Sequence, residues 1–138
     1  MSTTIRTKIS KDNKYYISKD RFLELKHFCL QYPEWKAKYF EFTSLVSGTM
    51  SGVRTSDISD PVSYAAQHRE KYFRMMEMIE QSAIAADADI YQFILQAVCY
   101  GISYTALRTK YDMPCGKDMF YDRYRKFFWI LDGVRENF

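Results

Sequence analysis

The sequence predicts an all-α protein of about six helices with one long helix near its centre. Three observations carry this expectation. Apolar residues recur at spacings of three and four along most of the chain, which is the period of a helix with one buried face. Val, Ile and Thr nowhere alternate with polar residues over the length of a strand. Capping residues, Pro and Gly fall at the ends of the periodic stretches, where helices start and stop.

Residues 1–16 read as a flexible basic arm, with Arg6, Lys8, Lys11 and Lys14 set against Asp12 alone. Tyr15, Tyr16 and Ile17 can dock its end. A helical pair is expected over 17–46. Ser18 caps the first helix and Asp20 places a negative charge in its first turn, where the helix dipole favours it. Phe22, Leu25, Cys29 and Tyr32 make its stripe. Pro33 stops this helix and fits the first turn of the next. The second helix carries Trp35, Tyr39, Phe42 and Val46 on one face. Residues 47–57, rich in Gly, Ser and Thr, read as a linker loop.

A helical domain is expected over 58–138. Ser59-Asp60-Pro61 is a helix start, a capping residue followed by Pro in the first turn. From there Val62, Ala65, Tyr72, Met76, Ile79 and Ala83 form one stripe. A helix over 61–86 spans about 39 Å at about 1.5 Å per residue, long enough to be a domain's backbone or a dimer seam. Asp87 or Asp89 caps a fourth helix with Ile90, Phe93, Ile94, Ala97 and Val98 inside. Gly101 suits a left-handed C-terminal cap. Ser103 caps a short fifth helix over 104–111. A tight turn, Asp112-Met113-Pro114-Cys115-Gly116, leads to the last helix over 117–134, with Phe120, Tyr124, Phe127, Leu131 and Val134 as its stripe.

Composition bounds the function. The 138 residues are 47% hydrophobic, 27% charged and 17% aromatic, with 2 Trp, 12 Tyr and 10 Phe. This is the make-up of a folded domain, not of a disordered chain. The length allows one domain with a core or two small lobes. No run reaches the roughly 18 apolar residues of a membrane span. The opening MSTTIRTKISKDNK has no apolar core of a signal peptide. A cytoplasmic protein with no membrane partner is therefore expected. Cys29, Cys99 and Cys115 are dispersed and odd in number, and His27 and His68 are isolated, so neither a disulfide framework nor a metal site is expected. There is no GxGxxG, P-loop, HExxH or GxSxG, and neither an enzyme nor a cofactor is expected. Cys115, near a helix N-terminus, could carry a lowered thiol pKa, with no base in view to use it.

The net charge of +3 conceals a pattern. Residues 1–45 carry nine Lys or Arg against five Asp or Glu, 46–100 four against seven, and 101–138 seven against five. Both ends are positive and the middle is acidic. Over 101–134 the order is Gly turn, short helix, tight turn, long helix, which is the layout of a helix-turn-helix unit. Gly116 meets the demand of a tight turn. One face of the last helix can bury itself, and Lys117, Tyr121, Arg125 and Lys126 can face a groove, with Arg108 and Lys110 on the short helix beside them. Arg123 lies on the flank, and Asp122 is spaced to pair with Arg125 or Lys126.

Gly101-Ile102-Ser103-Tyr104-Thr105-Ala106-Leu107 resembles the opening of a sigma-factor region 4 helix-turn-helix, in which a Gly, an apolar residue, a Ser and often a Tyr introduce the first helix. In layout the chain is similar to small regulators encoded by phages and prophages of Gram-positive bacteria, among them the ArpU and RinA type of late-gene regulators. The matching part is 101–131, with a general likeness of the helical N-terminal half. Three positions depart from the pattern. Arg108 stands where a small residue is usual, Asp112 where Gly is usual, and Lys117, Asp118 and Met119 where Ser or Thr residues reach phosphates.

The resemblance implies a phage-type DNA-binding transcriptional regulator that reads duplex DNA through its last helix, in the cytoplasm of a bacterial host cell. Lys117, Tyr121, Arg125 and Lys126 are the expected base-edge or phosphate residues, and Arg108 and Lys110 the expected backbone contacts. A head with a net charge of +2 is small for a monomer, so a homodimer or help from host RNA polymerase is expected. The competing reading is a small phage-encoded module that binds or inhibits a host polymerase, nuclease or defence complex. Trp35, Tyr39, Met75 and Met78 would be its anchors, and Trp35, Tyr121 and Trp129 are the aromatics left over for partner contacts.

Overall fold

The computed structural model describes residues 11–47 and 61–136. Among them the chain forms six helices: α1 (Lys19–Leu30), α2 (Tyr32–Ser47), α3 (Pro61–Ala86), α4 (Tyr91–Tyr100), α5 (Tyr104–Lys110) and α6 (Lys117–Glu136). No strand occurs among the described residues, and α3 is the longest helix at 26 residues. The first ten residues of the expected arm, nearly all of the expected linker and the Ser59-Asp60 helix start lie outside the described residues.

The helix ends follow local chemistry. Ser18 Oγ accepts the Arg21 backbone N–H at 3.3 Å, and Ser103 Oγ accepts that of Ala106 at 3.1 Å, each satisfying a donor that the first turn leaves open. At the start of α4 the expected acidic cap takes a different form. Ile90 occupies the capping position without a side-chain bond. Asp87 Oδ1 instead accepts the N–H groups of Asp89 (2.9 Å) and Ile90 (3.3 Å) from just before it.

The chain divides into two units, Met1–Gln31 with Met78–Phe138, and Tyr32–Glu77. This division and the segments expected from composition split the chain differently: α1 belongs with α4, α5 and α6, while α2 belongs with the first part of α3. In the first unit α1 packs on α4 and α6, and α4 packs on α5 and α6. Its core holds Leu25, Cys29, Ile79, Ile94, Leu107, Phe120, Phe127, Phe128 and Leu131, all essentially closed to solvent. Phe22 meets Phe128 edge-on at 4.9 Å, and Phe128 meets Tyr124 at 5.1 Å. Burial pushes the thiols of Cys29 and Cys99 up, which suits packing groups. At the rim Arg21 Nε donates to Asp132 Oδ1, and the Arg135 guanidinium lies 3.9 Å from the centre of the Phe28 ring.

The second unit is an aromatic hairpin of α2 and the first part of α3. Phe42 stacks on His68 (5.3 Å) and Tyr72 (6.2 Å), and Tyr39 lies 6.0 Å from Phe73. The expected face of α2 is confirmed in Trp35, which is 5% exposed, with Tyr39, Phe42 and Val46 half-buried. Trp35 is therefore a core residue and not the partner anchor expected of it. Val62, expected inside α3, is exposed.

Candidate nucleic-acid interface

The α4–α5 and α5–α6 joints close in the same way. Gly101 takes a left-handed conformation (φ 69°), and Ile102 N–H then donates back to Gln96 O at 3.3 Å. Asp112 takes the same conformation (φ 54°), and Met113 N–H donates back to Leu107 O at 3.0 Å. Glycine enters this region freely, and Asp is among the few other residues that visit it. The turn residue of the second joint is thus Asp112, not Gly116. Gly116 has no positive φ, and a Cβ there would meet nothing within 4 Å. Its carbonyl accepts the Phe120 N–H at 2.9 Å and so opens α6.

Two side chains of α5 tie the turn down. Arg108 Nη1 donates to the carbonyls of Met113 and Cys115, both at 3.1 Å, and the Tyr104 hydroxyl donates to Cys115 O at 3.2 Å. Arg108 was expected on a phosphate backbone, and one of its donor groups is already spent on its own loop. Cys115 is buried beneath these bonds. Burial and the nearby Asp87 carboxylate push its thiol above the usual value, against the opposing Arg108 and Arg123 charges. The expected lowering at a helix N-terminus is overturned.

The other expected residues do not form one stripe. Successive residues of a helix advance by about 100°. Asp118, Asp122, Arg125, Lys126 and Trp129 therefore point away from the buried Phe120, Tyr124, Phe127, Phe128 and Leu131. Lys117 and Tyr121 sit on the flank toward α5, where Tyr121 meets Tyr104 edge-on at 6.0 Å. The Lys117 ammonium is 5.8 Å from the Tyr121 ring centre, so these two do come together. Lys110 is exposed at the end of α5, while Arg125 and Lys126 are half-buried. Arg125 Nε is buried without an acceptor. Among the described residues neither Lys117, Arg125 nor Lys126 forms an ion pair.

The acidic partner expected for Arg125 or Lys126 goes elsewhere. Asp122 Oδ2 accepts from Arg123 Nη1 at 2.6 Å, and Arg123 Nε donates to Asp87 Oδ2 at 2.9 Å. Burial pushes the Asp87 carboxyl up. The Arg123 bond and the N–H groups of Asp89 and Ile90 outweigh that and hold it below the usual carboxylate range. Arg123, expected on the flank, has its partner 36 residues away, so no local pattern in the sequence signals this role.

Trp129, on the outer side of α6, is 47% exposed, and Tyr15 rests on it with ring centres 5.7 Å apart. Among the described residues no group of three or more His, Cys, Asp or Glu could hold a metal ion, and no helix is long and apolar enough to cross a membrane. Comparison of the chain with protein-family models, curated proteins and solved structures gives no match.

Proposed function

We propose that the chain is a DNA-binding transcriptional regulator of the phage type, acting on duplex DNA through α6. One observation carries the reading: the α5–turn–α6 segment is tied by hydrogen bonds from Arg108 and Tyr104, yet leaves Lys117, Arg125 and Lys126 outside any ion pair among the described residues. A cation already paired within the protein gains little from a phosphate, while an unpaired one releases counterions on binding. The left-handed Asp112 supports the reading further, because it supplies the backbone geometry that a Gly supplies in the units this segment resembles. Lys117 and Tyr121 address the groove from the α5 side, and Arg125 and Lys126 from the outer side. Lys110 and the remaining donors of Arg108 face the backbone. Two copies double the small positive charge of the head, so the reading includes a homodimer, with host RNA polymerase as a further partner.

The test is a gel-shift titration on mixed duplex DNA across salt concentrations. Affinity falls steeply with salt. Arg125→Ala costs about 1–3 kcal/mol if it meets a base edge, and Lys117→Ala lowers the salt slope by about 1 if it meets a phosphate. Wild-type retention by both variants, with unchanged melting, removes α6 as the reading surface.

A second reading rests on the α2–α3 hairpin. Phe40 is 56% exposed, Tyr64 59% and Phe73 42%, and aromatic rings are common anchors of protein interfaces. A module that binds a host protein through these rings would show little salt dependence and no retention on duplex DNA.

A further inference from the structure

One flank of the α2–α3 hairpin joins exposed rings to unpaired charges of both signs. Tyr39 meets Phe40 edge-on at 5.5 Å and Phe73 at 6.0 Å, so a half-buried ring links two exposed ones. Phe73 belongs to a stripe of α3 distinct from the side that stacks on Phe42 through His68 and Tyr72. Val62, Ala66, Arg69, Phe73 and Glu77 follow at spacings of four, three, four and four, which places them on one side of the helix. Arg69 stands four residues before Phe73, and Glu77 four residues after it. Among the described residues neither forms an ion pair. They lie about 12 Å apart along the axis, too far for the i,i+4 contact that Arg74 makes with Glu70.

We infer that this stripe is the interface of a homodimer, in which two α3 helices pack antiparallel about a two-fold axis at Phe73. The inference rests on the reading above for a second copy, the one that doubles the charge of the head. The charge pattern selects that occupant. A two-fold axis at Phe73 sets the position four residues before it opposite the position four residues after it on the other helix. Arg69 then faces Glu77 of the partner subunit, and Glu77 faces Arg69 of the partner subunit. Parallel packing would instead set like charges together at both positions, which is unfavourable. A two-fold interface uses one patch twice, so the patch must complement itself. Opposite charges evenly spaced about an apolar centre do so, whereas an unrelated protein places no such condition on the spacing. Phe73 fills the centre and Phe40 widens the apolar part, with the charges at the rim.

The test measures the mass of the full chain by sedimentation equilibrium without DNA. The wild-type chain is expected to dimerise. Arg69→Glu and Glu77→Arg each set like charges together twice across the axis, and each is expected to raise the dimer Kd about tenfold or more. The two changes combined restore opposite charges and are expected to return the Kd to within about threefold of wild type. Phe73→Ala is expected to raise it about tenfold or more. A wild-type chain that stays monomeric overturns the interface. So do single charge changes that leave the Kd unmoved, or a combined variant no tighter than the single ones, which would assign their effect to folding. Duplex titration of the same samples separates the two readings. Loss of the interface with duplex binding intact leaves the α6 reading standing, and rescue by the combined variant in a chain that does not bind duplex removes the α6 reading alone.

Discussion

The two units of the chain spend their aromatic residues differently. The unit built on α4, α5 and α6 closes Phe120, Phe127 and Phe128 completely and ties its elements with ion pairs between distant residues, Arg21 with Asp132 and Arg123 with Asp87. The α2–α3 hairpin holds its rings against one another and leaves Phe40, Tyr64 and Phe73 open. Its one ion pair among the described residues, Arg74 with Glu70, is a local i,i+4 contact. An interior closed on all sides fixes positions to within a rotamer, while half-exposed ring contacts leave side chains room to adapt. Geometry that must match a rigid ligand such as a duplex belongs in the first kind of unit. A surface that adapts to a protein belongs in the second.

The largest expected effect separates the units directly. Phe127→Ala leaves a cavity in a closed core and costs about 3–5 kcal/mol. Phe40→Ala removes a ring that is already mostly solvated and changes stability by less than about 0.5 kcal/mol. Chemical denaturation of both variants measures the difference. Equal losses would mean that the hairpin carries as much of the folding energy as the α4–α6 core.

The next contrast lies in the ion pairs. Asp87 joins the start of α4 to Arg123 on α6, and Asp87→Asn keeps an acceptor for the Asp89 and Ile90 N–H groups but loses the charge on Arg123. A hydrogen bond to a charged group contributes about 2 kcal/mol. The folded carboxyl titrates below its unfolded value of about 3.9. Its stabilisation is therefore complete above that value and is lost as the pH falls through the lower, folded pKa. The variant should melt lower than wild type at neutral pH and converge with it in acid. A gap that persists unchanged into acid would assign the loss to packing.

Periodicity made the helices legible, because each buries one face, and it gave most of the inner faces of α2, α4 and α6, although the buried Phe128 and Cys99 lie outside the expected stripes and the expected Phe93 and Val134 are only half-buried. Caps with a single local partner, Ser18, Gly101 and Ser103, were legible for the same reason. What the sequence did not disclose depends on contacts between residues far apart in it. Arg123 meets Asp87 across 36 positions, and Trp129 meets Tyr15 across a longer stretch still. Trp35 looked like a surface anchor because a large ring on a helix stripe reads alike whether a core or a partner covers it. Arg108 looked like a phosphate ligand because nothing local shows that its guanidinium turns back onto the Met113 and Cys115 carbonyls. Spacing alone does not separate Lys117 and Tyr121, beside α5, from Arg125 and Lys126, on the outer side, so the sequence suggests one basic face where α6 carries two.

The smallest expected effects test the joints that hold this unit's geometry. Gly101 and Asp112 share a left-handed backbone, and a Cβ at Gly101 would meet nothing within 4 Å. Gly101→Ala therefore incurs only the backbone penalty, about 1–2 kcal/mol. Asp112→Gly removes that penalty but adds freedom to the unfolded chain, so the net gain is about 0.5 kcal/mol or less. Gly116, with an ordinary φ and open space around it, should accept Ala with a gain of about 0.4–1 kcal/mol from the restricted unfolded state. Thermal melting of the three variants should therefore give one loss and two small gains. If Gly116→Ala loses stability while Asp112→Gly is neutral, the strained residue of the α5–α6 turn is the glycine that the sequence first suggested, and the likeness between the two joints fails.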